Sequence, residues 1–121
     1  MRIIFDLMGT VMGSLDESLR PGIADTIKAL RESGNKVDFW TSGRVDNYRA
    51  FLKNYGLEGD VYSKQEPLPF VPDICVDDDP QPWMPGAPYK VGNHICAEEP
   101  GERILVAEIL GYRGGTKFYW D

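Results

Sequence analysis

The chain has few of the residues that form disulfides or common metal sites. Its two cysteines, Cys75 and Cys96, lack the spacing of a metal-binding or Cys-x-x-Cys motif, and they make a weak case for a disulfide. We expect both to be buried thiols, and we expect the single histidine, His94, to be a surface or core residue rather than a metal ligand. Because 121 residues can bury a core without such staples, one domain is predicted over residues 1–121.

Long apolar runs and clusters of basic residues are also lacking. No apolar run approaches the roughly 20 residues of a membrane-spanning helix, and Met1 and Arg2 lead directly into a short strand rather than into a secretory signal. We therefore expect a cytoplasmic protein with no membrane partner. The 19 acidic residues outweigh 13 basic ones and give a net charge of -6. Since this charge repels a polyphosphate backbone, nucleic acid is not expected as a main partner.

The first half of the chain alternates short apolar strands with amphipathic stretches. Strands are predicted at 2–5 and 37–40. The helix after the first strand has Pro21 as an early residue and ends near Gly34, and the helix after the second strand ends at Gly56. Apolar residues at helical spacing mark the buried faces: Ile23, Ala24, Ile27 and Leu30 in the first helix, and Tyr48, Phe51, Leu52 and Tyr55 in the second. Two strand–helix units in succession predict parallel pairing of the strands.

The remainder of the chain gives weaker patterns. Short third and fourth strands are predicted at 61–62 and 74–76, a fifth at 94–96, and a closing edge strand at 117–120. Residues 102–110 suit a helix, although their apolar centre would also suit a strand. The alternation of strands and helices predicts an α/β fold with an open, three-layer, Rossmann-like sheet that is mostly parallel.

A proline-rich segment follows the fourth predicted strand. It is expected to form an irregular loop around Gly86, and it carries Trp83, Met84 and Tyr89. These side chains could pack the loop onto the sheet, or they could form a binding surface. The sequence leaves both interpretations open.

Acidic and hydroxyl side chains come directly after the predicted strands. Asp6 follows the first strand, Thr41 and Ser42 follow the second, and an Asp-Asp-Asp-Pro run at residues 77–80 follows the fourth. Because ligands of an open parallel sheet bind outside the carboxyl ends of its strands, we expect these side chains to meet at one edge. Taken singly, Asp6 would be a turn aspartate beside Gly9, and the acidic run would be a solvated loop.

Several carboxylates in one small volume favour a bound cation. Each close pair repels by roughly 1 to 4 kcal/mol, depending on the effective dielectric. Some carboxylates must therefore stay protonated, or a divalent ion must neutralise them. Ligation by oxygen alone suits Mg²⁺ better than zinc or copper. The sequence therefore predicts a magnesium site that contains Asp6 and the later acidic run.

These residues, in this order, resemble the motifs of the haloacid dehalogenase (HAD) superfamily. Its phosphatases carry an Asp-x-Asp-x-Thr first motif, a Thr or Ser that ends the second strand, a Lys, and an acidic pair after a later strand. The corresponding residues here are 6–10 (Asp-Leu-Met-Gly-Thr), 39–42 (Phe-Trp-Thr-Ser), Lys64 and 76–80 (Val-Asp-Asp-Asp-Pro). The resemblance spans the first two thirds of the chain, and it implies a minimal, phosphatase-like member of the superfamily.

The resemblance also implies a role for each matching residue. Asp6 would attack a phosphoryl group and form an aspartyl-phosphate. Thr41 would hydrogen-bond the transferring oxygens, and Lys64 would neutralise charge between the phosphate and Asp6. Asp77 and Asp78 would hold Mg²⁺ together with Asp6.

Two of these assignments keep an alternative. Ser42 is adjacent to Thr41 and could take its role, because the alignment is ambiguous by one residue. Lys64 follows a short strand and is better placed than Lys53, which lies on a predicted helix face. The candidate substrate-binding residues are Thr10, Ser42 and Arg44.

The chain departs from the family pattern at Met8. The family's phosphatases have a second aspartate there, which protonates the leaving oxygen and then activates the water that resolves the aspartyl-phosphate. A thioether can do neither, and such assistance is typically worth about 10² to 10⁴ in rate. The family's metal is also bound by the backbone carbonyl at this position, so Met8 remains a candidate metal ligand.

Two functions therefore remain open. One is a magnesium-dependent phosphohydrolase or phosphotransferase with reduced or specialised activity. The other is a catalytically silent HAD-like module that binds Mg²⁺ or a phosphorylated ligand and has an interaction or regulatory role. Only residues 11–19 separate the first motif from its helix, which leaves no room for a cap insertion. This implies an open site that admits large phosphorylated substrates.

Overall fold

The computed structural model describes residues 1–112, and the strand predicted at 117–120 lies outside them. The strands in the described part of the chain are β1 (Arg2–Asp6), β2 (Lys36–Thr41), β3 (Val61–Ser63), β4 (Ile74–Asp77) and β5 (Ala87–Lys90). The helices are α1 (Ile23–Glu32), α2 (Val45–Asn54) and α3 (Val106–Gly111). No helix within residues 1–112 is long and apolar enough to span a membrane.

The five strands form one sheet in the order β3-β2-β1-β4-β5. Every neighbouring pair is parallel, so the predicted α/β, Rossmann-like fold is confirmed and the described sheet is wholly parallel. The chain runs outward from β1 through β2 to β3 and then returns to the other side of β1, where β4 pairs with it. The strand order thus reverses between β1 and β4, and ligands of open α/β sheets bind at such a point, outside the carboxyl ends of the strands.

One face of the sheet, which we call the helical face, packs against the three helices. Alternate residues of β1, Ile3 and Phe5, point to this face, where they join Ile27 of α1, Leu52 of α2 and Ile109 of α3 in one apolar cluster. All five side chains are fully buried. Removal of this much apolar surface from water is the main force that holds the helices on the sheet.

The opposite face, which we call the loop face, is covered by irregular segments. Its fully buried strand residues are Ile4, Trp40 and Cys75, one from each central strand. Leu68, from the segment between β3 and β4, and Met84, from the loop after β4, pack against them. Helices, sheet and loops thus form three layers.

The alternation of side chains along the strands decides which face carries the acids. Successive residues of a strand point to opposite faces, so residues two apart share a face. Asp6 lies two positions after Ile4, and Asp77 lies two positions after Cys75. Both acids therefore belong to the loop face, at its carboxyl edge.

The strand predicted at 94–96 is wrong. The fifth strand lies earlier, at Ala87–Lys90, and it contains Pro88. Proline lacks an N–H donor, which an edge strand tolerates because one of its sides is unpaired. Residues 94–96 instead run beside the loop that follows β1 and accept backbone hydrogen bonds from Ser14 and Leu15.

The helix limits also differ from the prediction. Gly22, immediately before α1, has a left-handed φ of 73°, so Pro21 lies outside the helix. Tyr55 follows the end of α2 and is 46% exposed, rather than part of the buried face. The last helix starts only at Val106, because Leu105 before it is extended, with φ -89° and ψ 137°.

The two cysteines lie in different environments. Both are free thiols. Cys75 is buried, as expected, whereas Cys96 is partly exposed on a surface loop. Burial, followed by the negative charge of Asp77, raises the pKa of the Cys75 thiol to about 12.

Candidate functional site

Three carboxylates meet at the carboxyl edge between β1 and β4. Asp6 ends β1, Asp77 ends the adjacent β4, and Asp78 is the next residue. One carboxylate oxygen from each lies within 4.8 Å of the other two. Asp6 and Asp77 are buried, at 7% and 2% exposure, and Asp78 is half-buried. Oxygens at this spacing could hold one metal ion.

Lys64 lies between two of these acids. Its Nζ is 2.8 Å from Oδ1 of Asp6 and 3.0 Å from Oδ2 of Asp77. The residue directly follows β3, and its backbone N–H donates to the carbonyl of Thr41 at 2.8 Å, which fixes where the side chain starts. Lys53, by contrast, is exposed on α2.

Burial, repulsion between the carboxylates and their pairing with Lys64 together determine the pKa values in this group. Burial, followed by the charge of Asp77, raises the pKa of Asp6 to about 7, although the ammonium of Lys64 opposes the shift. Burial alone would lower the pKa of Lys64, but the two contacting carboxylates outweigh it and hold that pKa above its ordinary value. One lysine therefore does not neutralise the acids, and a proton or a further cation is needed.

Thr10 lies beneath the acids rather than on the surface of the cleft. Its Oγ1 is 3.2 Å from Oδ2 of Asp6 and 3.0 Å from Oδ1 of Asp78, and it accepts the backbone N–H of Asp78 at 3.0 Å. The residue is fully buried. Thr10 thus ties the turn after β1 to the loop after β4 and sets the separation of the two carboxylates.

The acids open into a cleft of about 360 Å³, which we call the acidic cleft. Thr41 and Ser42 both line it, so the choice between the two hydroxyls stays open. Oγ1 of Thr41 accepts the backbone N–H of Gly43 at 2.9 Å, which leaves its own proton free to be donated. Arg44 occupies the N-cap position of α2 but makes no side-chain capping hydrogen bond. Its side chain is exposed, and it is not among the cleft-lining residues.

Met8 lies at the mouth of the acidic cleft. Its side chain lines the cleft and is 49% exposed. Within residues 1–112, no hydrogen bond is donated to its backbone carbonyl, so that oxygen remains available as a ligand. The position where the phosphatases that the sequence resembles have an acid therefore presents an accessible thioether.

The sequence did not predict the role of Arg20, which is 1% exposed. Its guanidinium donates to four backbone carbonyls, those of Gly9, Thr10, Gly92 and Glu102. The contact with Thr10 is 2.6 Å and the contact with Glu102 is 2.7 Å. Arg20 thereby holds the turn after β1 against the loop at 92–102. Nothing in the local sequence distinguishes it from a solvated arginine.

His94, which is buried, belongs to a separate cluster with the partly exposed Ser18 and Asp16, and this cluster resembles a Ser-His-Asp triad only in composition. Its Nδ1 accepts the N–H of Gly101 at 3.1 Å, so Nε2 carries the proton and faces Ser18 at 3.1 Å. The hydroxyl of Ser18 donates to Asp16 at 2.5 Å. The carboxylate contacts the serine rather than the histidine. The ring also has no free nitrogen to accept the serine proton, because Nδ1 already accepts a hydrogen bond and Nε2 carries the proton. This cluster fastens the loop after β1 and has no catalytic arrangement.

Comparison with protein-family models, with curated proteins and with solved structures gave no match to this chain. The description of the fold and of the site therefore depends on the geometry of this chain alone. A wholly parallel α/β sheet places Asp6, Asp77 and Asp78 together where its strand order reverses, with Lys64 in contact with two of them.

Proposed function

We propose that this chain is a HAD-like, Mg²⁺-dependent phosphohydrolase or phosphotransferase that acts through an aspartyl-phosphate on Asp6. The observation that carries the proposal is the approach of the Asp6, Asp77 and Asp78 oxygens to within 4.8 Å, with Lys64 hydrogen-bonded to two of these residues. The order of these groups along the chain matches the order of the motifs that the sequence resembles.

The donor set supports Mg²⁺ as the ion. The metal-ligating group among the described residues consists of carboxylates alone, with no histidine or cysteine, and Mg²⁺ prefers such oxygen ligands. Asp6, Asp77 and Asp78 would hold the ion, together with the backbone carbonyl of Met8. When bound, Mg²⁺ supplies Lewis-acid polarisation of a phosphoryl oxygen and neutralises the acids.

The residues of the chain divide the reaction into two steps. A carboxylate oxygen of Asp6 attacks phosphorus, the bond from phosphorus to the ester oxygen breaks, and the leaving group departs with the bonding electrons. Lys64 places its positive charge beside the phosphoryl oxygens, and the hydroxyl of Thr41 donates to them. Water then attacks the phosphorus of the aspartyl-phosphate, which releases phosphate and restores Asp6.

Met8 in place of an acid should slow both steps of this reaction. It has no proton to give, so the departing oxygen takes its proton from solvent. Nor can it activate the water of the second step, so the aspartyl-phosphate should be long-lived. We therefore expect slow turnover and a preference for leaving groups that are stable as anions.

The metal and nucleophile assignments can be tested together. Millimolar Mg²⁺ should raise the melting temperature by several degrees, because the ion binds only the folded state. Asp77→Asn should abolish the shift, whereas Asp46→Asn, which removes the same charge from the 92% exposed side chain of Asp46 on α2, should keep it. After incubation with acetyl phosphate and Mg²⁺ and an acid quench, intact mass should show one phosphoryl group, absent in Asp6→Asn. No Mg²⁺ shift in the unmodified protein would exclude the metal site.

The silent-module alternative is favoured by one observation, the thioether of Met8 at the mouth of the acidic cleft. Met8→Asp should raise turnover of aryl phosphates by about 10² or more if the rest of the machinery is intact. Met8→Leu serves as the control, since it keeps the position apolar. If Met8→Asp remains inert on a broad panel of phosphate esters while Mg²⁺ still binds, the protein is a binding module rather than an enzyme.

A further inference from the structure

A second pocket adjoins the acidic cleft on the loop face. It has a volume of about 470 Å³, and its walls are mainly apolar and aromatic. Lys64 and Trp83 line both the pocket and the cleft, so the two spaces adjoin at these two side chains. We call it the aromatic pocket, and its characteristic wall residues are Trp40, Leu68, Phe70, Val71, Trp83 and Pro85.

Two indole rings lie among the lining residues of the aromatic pocket. The rings of Trp40 and Trp83 lie 5.8 Å apart between centroids, at an interplanar angle of 59°. Trp40 is fully buried in the sheet, whereas Trp83 is 57% exposed. A large aromatic side chain that is fixed against a buried ring and still open to solvent offers a surface on which a further ring can pack.

The aromatic wall lies next to the charged group that would face a phosphate. Nζ of Lys64 is 5.4 Å from the centroid of the Trp40 ring and 2.8 Å from Asp6. A phosphoryl group at Asp6 would therefore lie beside Lys64, which lines both spaces. The group attached to its ester oxygen would be within reach of the aromatic pocket.

We propose that the aromatic pocket is the leaving-group subsite for an aryl phosphate monoester, an inference that rests on the proposed phosphoryl-transfer function. The ring of the ester packs against the exposed ring of Trp83, while its phosphate lies beside Lys64. When Asp6 attacks phosphorus, the bond from phosphorus to the aryl oxygen breaks and the phenolate keeps the electron pair. Solvent then supplies its proton.

The chemistry at Met8 supports this choice of substrate. A phenolic oxygen has an ordinary pKa of about 10, so it can leave as an anion, whereas an alkoxide needs a proton from a general acid. The site lacks that acid and has an aromatic pocket where the leaving group must lie. Both features select the same class of ester, although they arise from different parts of the chain: the turn after β1, and β2 with the two loops of the loop face.

Binding of two phosphonates separates this inference from the function on which it rests. Phenylphosphonate and methylphosphonate share the anionic group and differ in the ring. In titration calorimetry with Mg²⁺, phenylphosphonate should bind about 10- to 100-fold more tightly. Trp83→Ala should remove most of that preference. Tyr55→Ala, which truncates an exposed aromatic residue at the end of α2, should keep it.

The outcomes are distinct. Equal affinity for the two phosphonates, or an unchanged preference in Trp83→Ala, would overturn the subsite and leave the phosphoryl site standing. If neither phosphonate binds, the proposed function fails and the subsite fails with it. As a turnover readout, kcat/KM for phenyl phosphate relative to acetyl phosphate, which has a good leaving group and no ring, should fall about tenfold in Trp83→Ala. A ratio that does not change would count against the aryl subsite.

Discussion

The two faces of the sheet are built from the same strands but differ in almost every other respect. The helical face is covered by three helices, and the strand residues of its core cluster are apolar. The loop face is covered by irregular segments, and the strand residues of its parity include Asp6, Asp77 and Trp40. The helical face therefore provides the larger apolar core cluster, and the loop face carries the acids and the two tryptophans of the aromatic pocket.

This division separates the residues that stabilise the fold from the carboxylates of the candidate site. Buried carboxylates are tolerated only where something else holds the structure together, because desolvation and mutual repulsion act against folding. The helices supply that support from the far side of the strands. The segments that cover the loop face can therefore form a pocket, because the stability of the fold depends mainly on the helical face.

The largest effect that would test this comparison is expected from a matched pair of leucine truncations. Leu30→Ala removes a fully buried side chain of α1 on the helical face and should lower the free energy of unfolding by about 3 kcal/mol. Leu68→Ala acts on a half-buried side chain of the loop face and should lower it by about 1 kcal/mol. Urea unfolding measures both. Equal losses would show that the loop face carries as much of the stability as the helical face.

A smaller change in the free energy of unfolding, about 2 kcal/mol, is expected from the titration of Asp6 on the loop face. The pKa of Asp6 is raised from 3.8 to about 7, so the folded, metal-free protein holds this proton more tightly than the unfolded chain. That stabilisation is fully present below about pH 4 and is lost as pH rises through 7.

Urea unfolding in the presence of EDTA can check the sign of this effect. Between about pH 5 and about pH 8, the unmodified protein should lose about 2 kcal/mol more than Asp6→Asn, which cannot titrate. Excess Mg²⁺ should reverse the loss at the higher pH, since the ion replaces the proton. A parallel pH profile for the two proteins would mean that Asp6 is ionised in the folded state throughout.

The smallest expected effect is a difference in the labelling rates of the two thiols. Cys96 is partly exposed and should react readily with iodoacetamide. Cys75 is buried and its pKa is raised to about 12, so it should react only after an opening of the structure. If the loops open independently of the helices, Cys75 will react faster than global unfolding permits. Labelling at the global unfolding rate would instead show that the two faces unfold together.

The sequence predicted the centre of the sheet because the relevant patterns are local. Apolar residues at helical spacing placed α1 and α2, and the strand before each gave β1 and β2. The parallel order then brought Asp6 and the run at 77–80 to one edge, and Lys64 was assigned by resemblance. The structure places Lys64 against Asp6, although its catalytic role stays a prediction.

The features that were missed depend on contacts between distant parts of the chain. A strand that contains Pro88 is acceptable only at a sheet edge, which the local sequence does not reveal. Whether Arg44 or Thr10 reaches the acidic cleft depends on how α2 and the turn after β1 pack, and only Thr10 contacts the acids. The aromatic pocket combines residues from β2 and two separate loops, and no pattern along the chain predicts such a convergence.

Arg20 has a consequence for how the protein is made. It fixes the turn that begins at Gly9, yet one of its hydrogen bonds ends at the carbonyl of Glu102, 82 residues further along the chain. During synthesis on the ribosome, β1 leaves the exit tunnel well before Glu102, and this contact cannot form until Glu102 has also left it. The nascent chain can therefore pair its early strands long before the turn beside Asp6 reaches its final arrangement.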